Sequence, residues 1–180
     1  MNVFILNAGR CGSTTFIQAC QHITNFTAGH ESRSTYTGEQ RLAYPANHIE
    51  ADNRLCWLLG RLDQQFGNNA VYVHLSRDRH RSANSFVRRT DYGIMKAYRE
   101  GILLGGQQQN AQQIAYDYLE TIESNISLFL KDKTHLMQFS LENATGDFRD
   151  FWQLIEAKGN LEKAITEWQT HYNASDPHRL

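Results

Sequence analysis

Residues 3–16 read VFILNAGRCGSTTF. Four apolar residues, Val3 to Leu6, run straight into a segment with two glycines, one arginine and three successive hydroxyl side chains. The apolar run suits a strand buried on both faces. Gly9 and Gly12 let the backbone curl tightly, and Ser13, Thr14 and Thr15 stand where a helix would begin. A strand, a tight turn and a helix start in that order turn backbone N–H groups and the positive end of a helix dipole towards one point, where an anion is stabilised. Arg10 adds a planar charged fork suited to phosphate or sulfate oxygens. A plain strand-to-helix turn capped by Ser13 would satisfy the same spacing. A Walker-type loop would not, because it needs four residues between its glycines and a lysine after the second. Here two residues separate Gly9 from Gly12, and Ser13 holds the lysine's place.

The rest of the chain repeats the alternation of strand and helix. The first strand is predicted over 2–7 and its helix over 13–24, with Phe16, Ile17, Cys20 and Ile23 at helical spacing. A short second strand is expected at 26–30. Residues 31–47, polar and containing Gly38 and Pro45, read as a long loop of the kind that often carries function. Helical spacing of Ile49, Leu55, Leu58, Leu59, Leu62 and Phe66 predicts a helix over 48–66, closed by Gly67 and Asn68. AVYVHLS, 70–76, is a further buried strand, followed by an arginine-rich helix. A helix is predicted over 109–130, a strand over 135–141, and two helices at about 146–158 and 160–172. The fold class that follows is α/β: a parallel sheet in three layers, helices on both faces, within one domain spanning 1–180.

Composition limits the partners. A hydrophobic content of 41% and a formal net charge of −1 are ordinary for a globular protein, and nothing in that total points to nucleic acid or an anionic membrane. Any anion site must come from local arginines. Cys11, Cys20 and Cys56 are odd in number and lack metal-ligand spacing, as expected of reduced thiols in a cytoplasmic protein. No apolar run is long enough for a signal peptide or a membrane span.

Local arginines are found at residues 77–89, RDRHRSANSFVRR, with five arginines in thirteen residues just past a buried strand. With Asp78 as helix cap, Arg77 stays at the strand tip and Ser85 lies two turns in, a fork and a hydroxyl able to hold a second phosphate. Arg88 and Arg89, three and four residues beyond Ser85, extend the same face. A solvated basic helix face is the alternative.

The two segments together resemble the sulfotransferase family, which takes its sulfuryl group from 3′-phosphoadenosine-5′-phosphosulfate. Arg10, Cys11, Gly12, Ser13 and Thr14 match in order that family's loop for the 5′-phosphosulfate, with Gly9 just before it. Arg77 and Ser85 match the spacing of the arginine and serine that hold the 3′-phosphate, with Arg79 in place of a proline. FSLENA, 139–144, is similar to the family's late strand, which makes Glu142 structural. No segment matches the family's Arg-Lys-Gly closure over the nucleotide.

The resemblance implies a P-loop-like fold and in-line transfer of a sulfuryl group to a hydroxyl or amine, with no metal required. It also implies a base between the two phosphate motifs. Carboxylate bases occur in members resembling bacterial and carbohydrate enzymes, which favours Glu31, with His30 second and Arg10 stabilising the leaving charge. Lys133-Thr134-His135-Leu136 imitates the family's histidine segment but falls on the wrong side of the second motif, so His135 reads as the lead into a fourth strand. The acceptor would be a small molecule or carbohydrate. A kinase with a degenerate phosphate loop and a nucleotide-binding module without catalysis are the alternatives.

Overall fold

The first strand, β1 (Asn2–Leu6), is buried along its whole length and pairs on both sides. The structure, a computed structural model, describes residues 1–169. With β2 (Thr27–His30), β3 (His48–Ala51), β4 (Ala70–Ser76) and β5 (Leu136–Ser140), β1 forms a five-stranded sheet of order β2-β3-β1-β4-β5 in which every neighbouring pair is parallel.

Side chains of a strand alternate between the two faces, and β1 shows what each face packs against. Val3 and Ile5 join one core with α1 (Ser13–Cys20), α6 (Ala144–Leu154) and α7 (Leu161–Thr166). Phe16 of α1 is at its centre, in edge contact with the rings of Phe139, Phe148 and Phe151 at 4.9–5.4 Å. Phe4 and Leu6 join the other core with α2 (Leu59–Phe66), α3 (Arg79–Val87), α4 (Gly93–Ala97) and the long α5 (Ala111–Leu130). The result is three layers, helices on both faces of a parallel sheet, as the strand–helix alternation predicts.

One element departs from the sequence reading. The helix predicted over 48–66 is instead β3, a 3-10 turn at Asn53–Trp57 and the shorter α2. All four residues of β3 are buried, and two of them, His48 and Glu50, are polar. Glu50 accepts hydrogen bonds from the Ser32 N–H (2.7 Å), the Ser32 hydroxyl (2.5 Å) and His48 Nε2 (2.9 Å). Tertiary partners thus allow a buried strand with no apolar signature, and Ile49 could be taken as part of the helical stripe that begins only later. His135 consequently leads into the fifth strand, not the fourth.

Smaller shifts are at element ends. The helix expected over 13–24 stops at Cys20, that over 146–158 runs Ala144–Leu154, and the strand over 135–141 runs Leu136–Ser140. Of the helix expected over 160–172, Leu161–Thr166 is α-helical and Glu167–Gln169 a 3-10 turn, while 170–172 lie outside the described residues. The loop 31–47 is irregular apart from a 3-10 turn at Gly38–Arg41.

The strand order positions the site. From β1 the chain moves outward to β2, returns to β3, then crosses β1 to reach β4. Connections leaving β1 and β4 therefore diverge and open a crevice at the carboxyl ends of the strands, where ligands bind in sheets of this kind.

Behind the sheet, Gly159 bridges to Ile23 with φ near +139°, and a Cβ there would lie 2.1 Å from the carbonyl oxygen of His22. The Gly159→Ala protein is expected to lose about 3 kcal/mol or more, read as a lower melting temperature in thermal denaturation.

Candidate functional site

The loop after β1 is shaped from within by Asn7, which is fully buried. Its amide donates to the Ile5 carbonyl (2.9 Å), and its Oδ1 accepts from the Gly9 N–H (2.9 Å) and the Cys11 thiol (3.5 Å). Gly9, Arg10 and Gly12 take φ values of +91°, +59° and +90°, so the chain turns through the left-handed region that non-glycine residues seldom enter. Gly12, not Ser13, is the N-cap of α1, and as a glycine it supplies no side-chain cap. The turn capped by Ser13 is thus not the one formed, and Ser13 and Thr14 of the first turn of α1 line the crevice with the helix dipole behind them. Ser13 instead meets His30 Nε2 at 3.0 Å. The Cys11 side chain belongs to the core, where burial pushes its thiol up to about 12, and Cys11 is not among the residues that line the cleft beside this loop.

The second segment adjoins the first. Asp78 caps α3 by accepting from the Arg81 N–H (2.8 Å), which leaves Arg77 at the tip of β4. Arg77 Nη1 donates to the Arg10 carbonyl (3.0 Å), and Arg10 Nε donates to the Ser85 hydroxyl (2.9 Å). The two segments, 75 residues apart in the case of Arg10 and Ser85, are joined through one residue. Burial, then the charge of Arg89, then those of Arg77 and Arg88 lower the Arg10 guanidinium below its ordinary range, with Tyr92 opposing them. Cations are therefore crowded at the switch point of the sheet. Arg79 does not contribute: it turns away to Glu120 (2.6 Å) and the Tyr116 ring.

A cleft of about 310 Å³ opens beside this junction. Gly9, Arg10, Ser13 and Thr14 form its floor, and His30, Glu31, Asn53 and Arg54 one wall. Phe86, Arg89 and residues 92–95 form the other. His30 ends β2. Glu31 follows with φ +52°, its N–H bonded to the Ala51 carbonyl (2.9 Å) and its carboxylate paired with Arg54 Nη1 at 2.8 Å. A carboxylate residue held in a left-handed conformation at the rim of a cleft is the kind of strain that concentrates at functional sites.

Sequence reasoning missed Asn7, Asn53, Arg54 and the cleft-facing Tyr92. Asn53 and Arg54 were hidden by the helix predicted across them. Of the loop 31–47, read as one of the kind that often carries function, Glu31 is the residue that lines the cleft. His135 is remote from it: its carbonyl accepts from the Tyr72 N–H (2.9 Å) at the start of β5, the opposite edge of the sheet.

No family model and no curated protein matches the chain. Among solved structures, the chain is similar to the sulfotransferase domain from the curacin biosynthetic pathway, with a TM-score of 0.63 at 13% identity, over 94% of this chain and 78% of that one. At that identity the likeness is one of fold alone.

Glu142 braces the rim of the site. Burial would raise its carboxyl, but bonds from the Asp78 N–H (3.0 Å) and the Ser140 hydroxyl (2.9 Å) outweigh that and hold it below the ordinary value of 4.5. A carboxyl lowered in the folded state stabilises above its unfolded pKa and loses that contribution as pH falls through the folded one. Because the side chain is exposed, the effect is below about 1 kcal/mol. Glu142→Gln is expected to melt slightly earlier than the parent at pH 7, and the two melting curves should converge as the pH drops below about 4.5.

Proposed function

We propose that the protein transfers a sulfuryl group from 3′-phosphoadenosine-5′-phosphosulfate to an acceptor hydroxyl or amine, with no metal required. The observation that carries this reading is the junction at Arg10, whose carbonyl is held by Arg77 and whose guanidinium reaches Ser85. One ligand with two separated anionic groups fits it. The N–H groups at the start of α1, Arg10, Ser13 and Thr14 would receive the 5′ group, and Arg77 with Ser85 the 3′-phosphate. A polyanionic ligand offsets the charges of Arg89, Arg77 and Arg88 that act on Arg10.

When bound, the nucleotide supplies an activated sulfuryl group on a phosphate leaving group. The chain's own residues then have two tasks. Arg10 and the start of α1 neutralise charge growing on the leaving phosphate. Glu31 accepts the acceptor's proton, and the His30 ring, next to Ser13, stands beside the transferring group as the second candidate for that role. Buried reduced cysteines suit a cytoplasmic protein.

Two expectations test the reading. The first is that 3′,5′-bisphosphoadenosine stabilises the protein without any metal, by about 2.7 kcal/mol at one hundred times its dissociation constant. Thermal shift against ADP and magnesium-ATP measures this, and stabilisation by magnesium-ATP alone would move the assignment to a kinase. The second separates the base from its surroundings. Glu31→Gln should keep nucleotide affinity and lose about 10²–10⁴ in single-turnover rate. Arg10→Ala should lose both, and His30→Ala ranks the two base candidates. Full rate in both the Glu31 and His30 variants would remove the base from this loop.

A further inference from the structure

Arg10, Arg54 and Arg89 line the cleft. Arg54 is engaged by Glu31 at 2.8 Å, and Arg10 Nε by Ser85. Arg89 Nε is buried and has no hydrogen-bond partner, and among the described residues no carboxylate lies within ion-pairing distance of its guanidinium. A buried donor of a charged group left unsatisfied is costly, and such a group marks a place where a partner is missing. Its guanidinium lies over the Tyr92 ring at 5.4 Å from the centroid. That contact backs the guanidinium with an aromatic face, and a guanidinium so backed has further N–H groups to offer an oxyanion.

Position decides which oxyanion. Arg77 and Ser85, matched to the donor's 3′-phosphate, do not line the cleft, and Arg77 borders a separate, much smaller hollow with His74 and Ser76. Arg89 lines the cleft itself, together with Glu31 and the apolar Ile94 and Met95. Arg10, Ser13 and Thr14 in that cleft are the part assigned to the donor, and Arg89 stands away from them in the chain, on the segment that carries Ile94 and Met95.

We propose that Arg89, backed by Tyr92, binds an anionic group on the acceptor, so that the acceptor is a hydroxylated acid. This rests on the sulfuryl-transfer reading and narrows its substrate class. Glu31 takes the proton from the hydroxyl while Arg89 holds the acid group at the other wall, which orients the acceptor and offsets the repulsion between an anionic acceptor and an anionic donor.

The test uses protein saturated with 3′,5′-bisphosphoadenosine and a panel of hydroxylated acids (para-hydroxybenzoate, glucuronate and lactate), each against its primary amide, with binding measured by titration calorimetry. At least one acid should bind about tenfold or more tightly than its amide. Arg89→Gln should abolish that preference, Arg89→Lys should retain part of it, and the affinity for bisphosphoadenosine should fall far less than that for the acid. The proposal is overturned if no acid is preferred, if the preference survives Arg89→Gln, or if the nucleotide loses as much affinity as the acid. Should Arg89→Gln fail to fold, a reduced preference in Arg89→Lys supports the proposal and an unreduced one overturns it. Failure of the wild-type protein to bind bisphosphoadenosine is a separate result. It would sink the sulfuryl-transfer reading, and the acid–amide comparison on the free protein would then judge Arg89 by the same criteria.

Discussion

The bond from Arg77 to the Arg10 carbonyl ties the tip of β4 to the loop after β1, and the geometry of the site follows from it. Arg10 holds a left-handed backbone conformation at φ +59° that a non-glycine residue does not favour on its own. The carbonyl contact from outside and the Asn7 brace from inside keep the loop in that shape. With the backbone so fixed, the Arg10 side chain reaches Ser85 in α3, and the loop, the strand tip and the helix become one unit. The parallel register of β1 against β4, Leu6 opposite His74, brings those pieces level.

The opposite wall is built on buried carboxylates. Glu50 and Asp52 are almost completely buried, and a charge in that position is tolerable only when it is paired and hydrogen bonded. Asp52 pairs with Arg41 and accepts from the Arg54 N–H. Glu50 takes the Ser32 backbone, the Ser32 hydroxyl and His48. Both networks anchor the long loop 31–47 at its ends, one at Ser32 and the other at Arg41. Glu31 is left at the edge of the cleft with little freedom to move. Removing either carboxylate would leave donors unsatisfied in the interior, a larger loss than the net value of the pair itself.

Charge is distributed with similar economy. The chain is nearly neutral overall, yet the surroundings of Arg10 are strongly cationic because Arg79 is neutralised by Glu120 on the far side of α3 while Arg77, Arg88 and Arg89 act on Arg10. Only the helix geometry separates those two groups. In the sequence they form a single basic run.

The features legible in the sequence are local and covalent in origin. Val3–Leu6 followed by Gly9 and Gly12 specifies a strand, a left-handed turn and a helix start, because backbone conformation at glycine and apolar burial are encoded residue by residue. Asp78 as a cap and Ser85 two turns into α3 follow from spacing alone, and so does the alternation that makes a parallel sheet. The rest depends on packing between elements. That His48-Ile49-Glu50-Ala51 is a strand depends on Ser32, which supplies partners to a carboxylate that would otherwise not be buried. That Arg54 pairs with Glu31, and that Arg89 rather than Arg79 faces the cleft, depends on which elements the sheet order brings together. Contacts between residues far apart in the chain carry no periodicity, and a polar side chain shows its role only when the groups that satisfy it, or fail to, are in place.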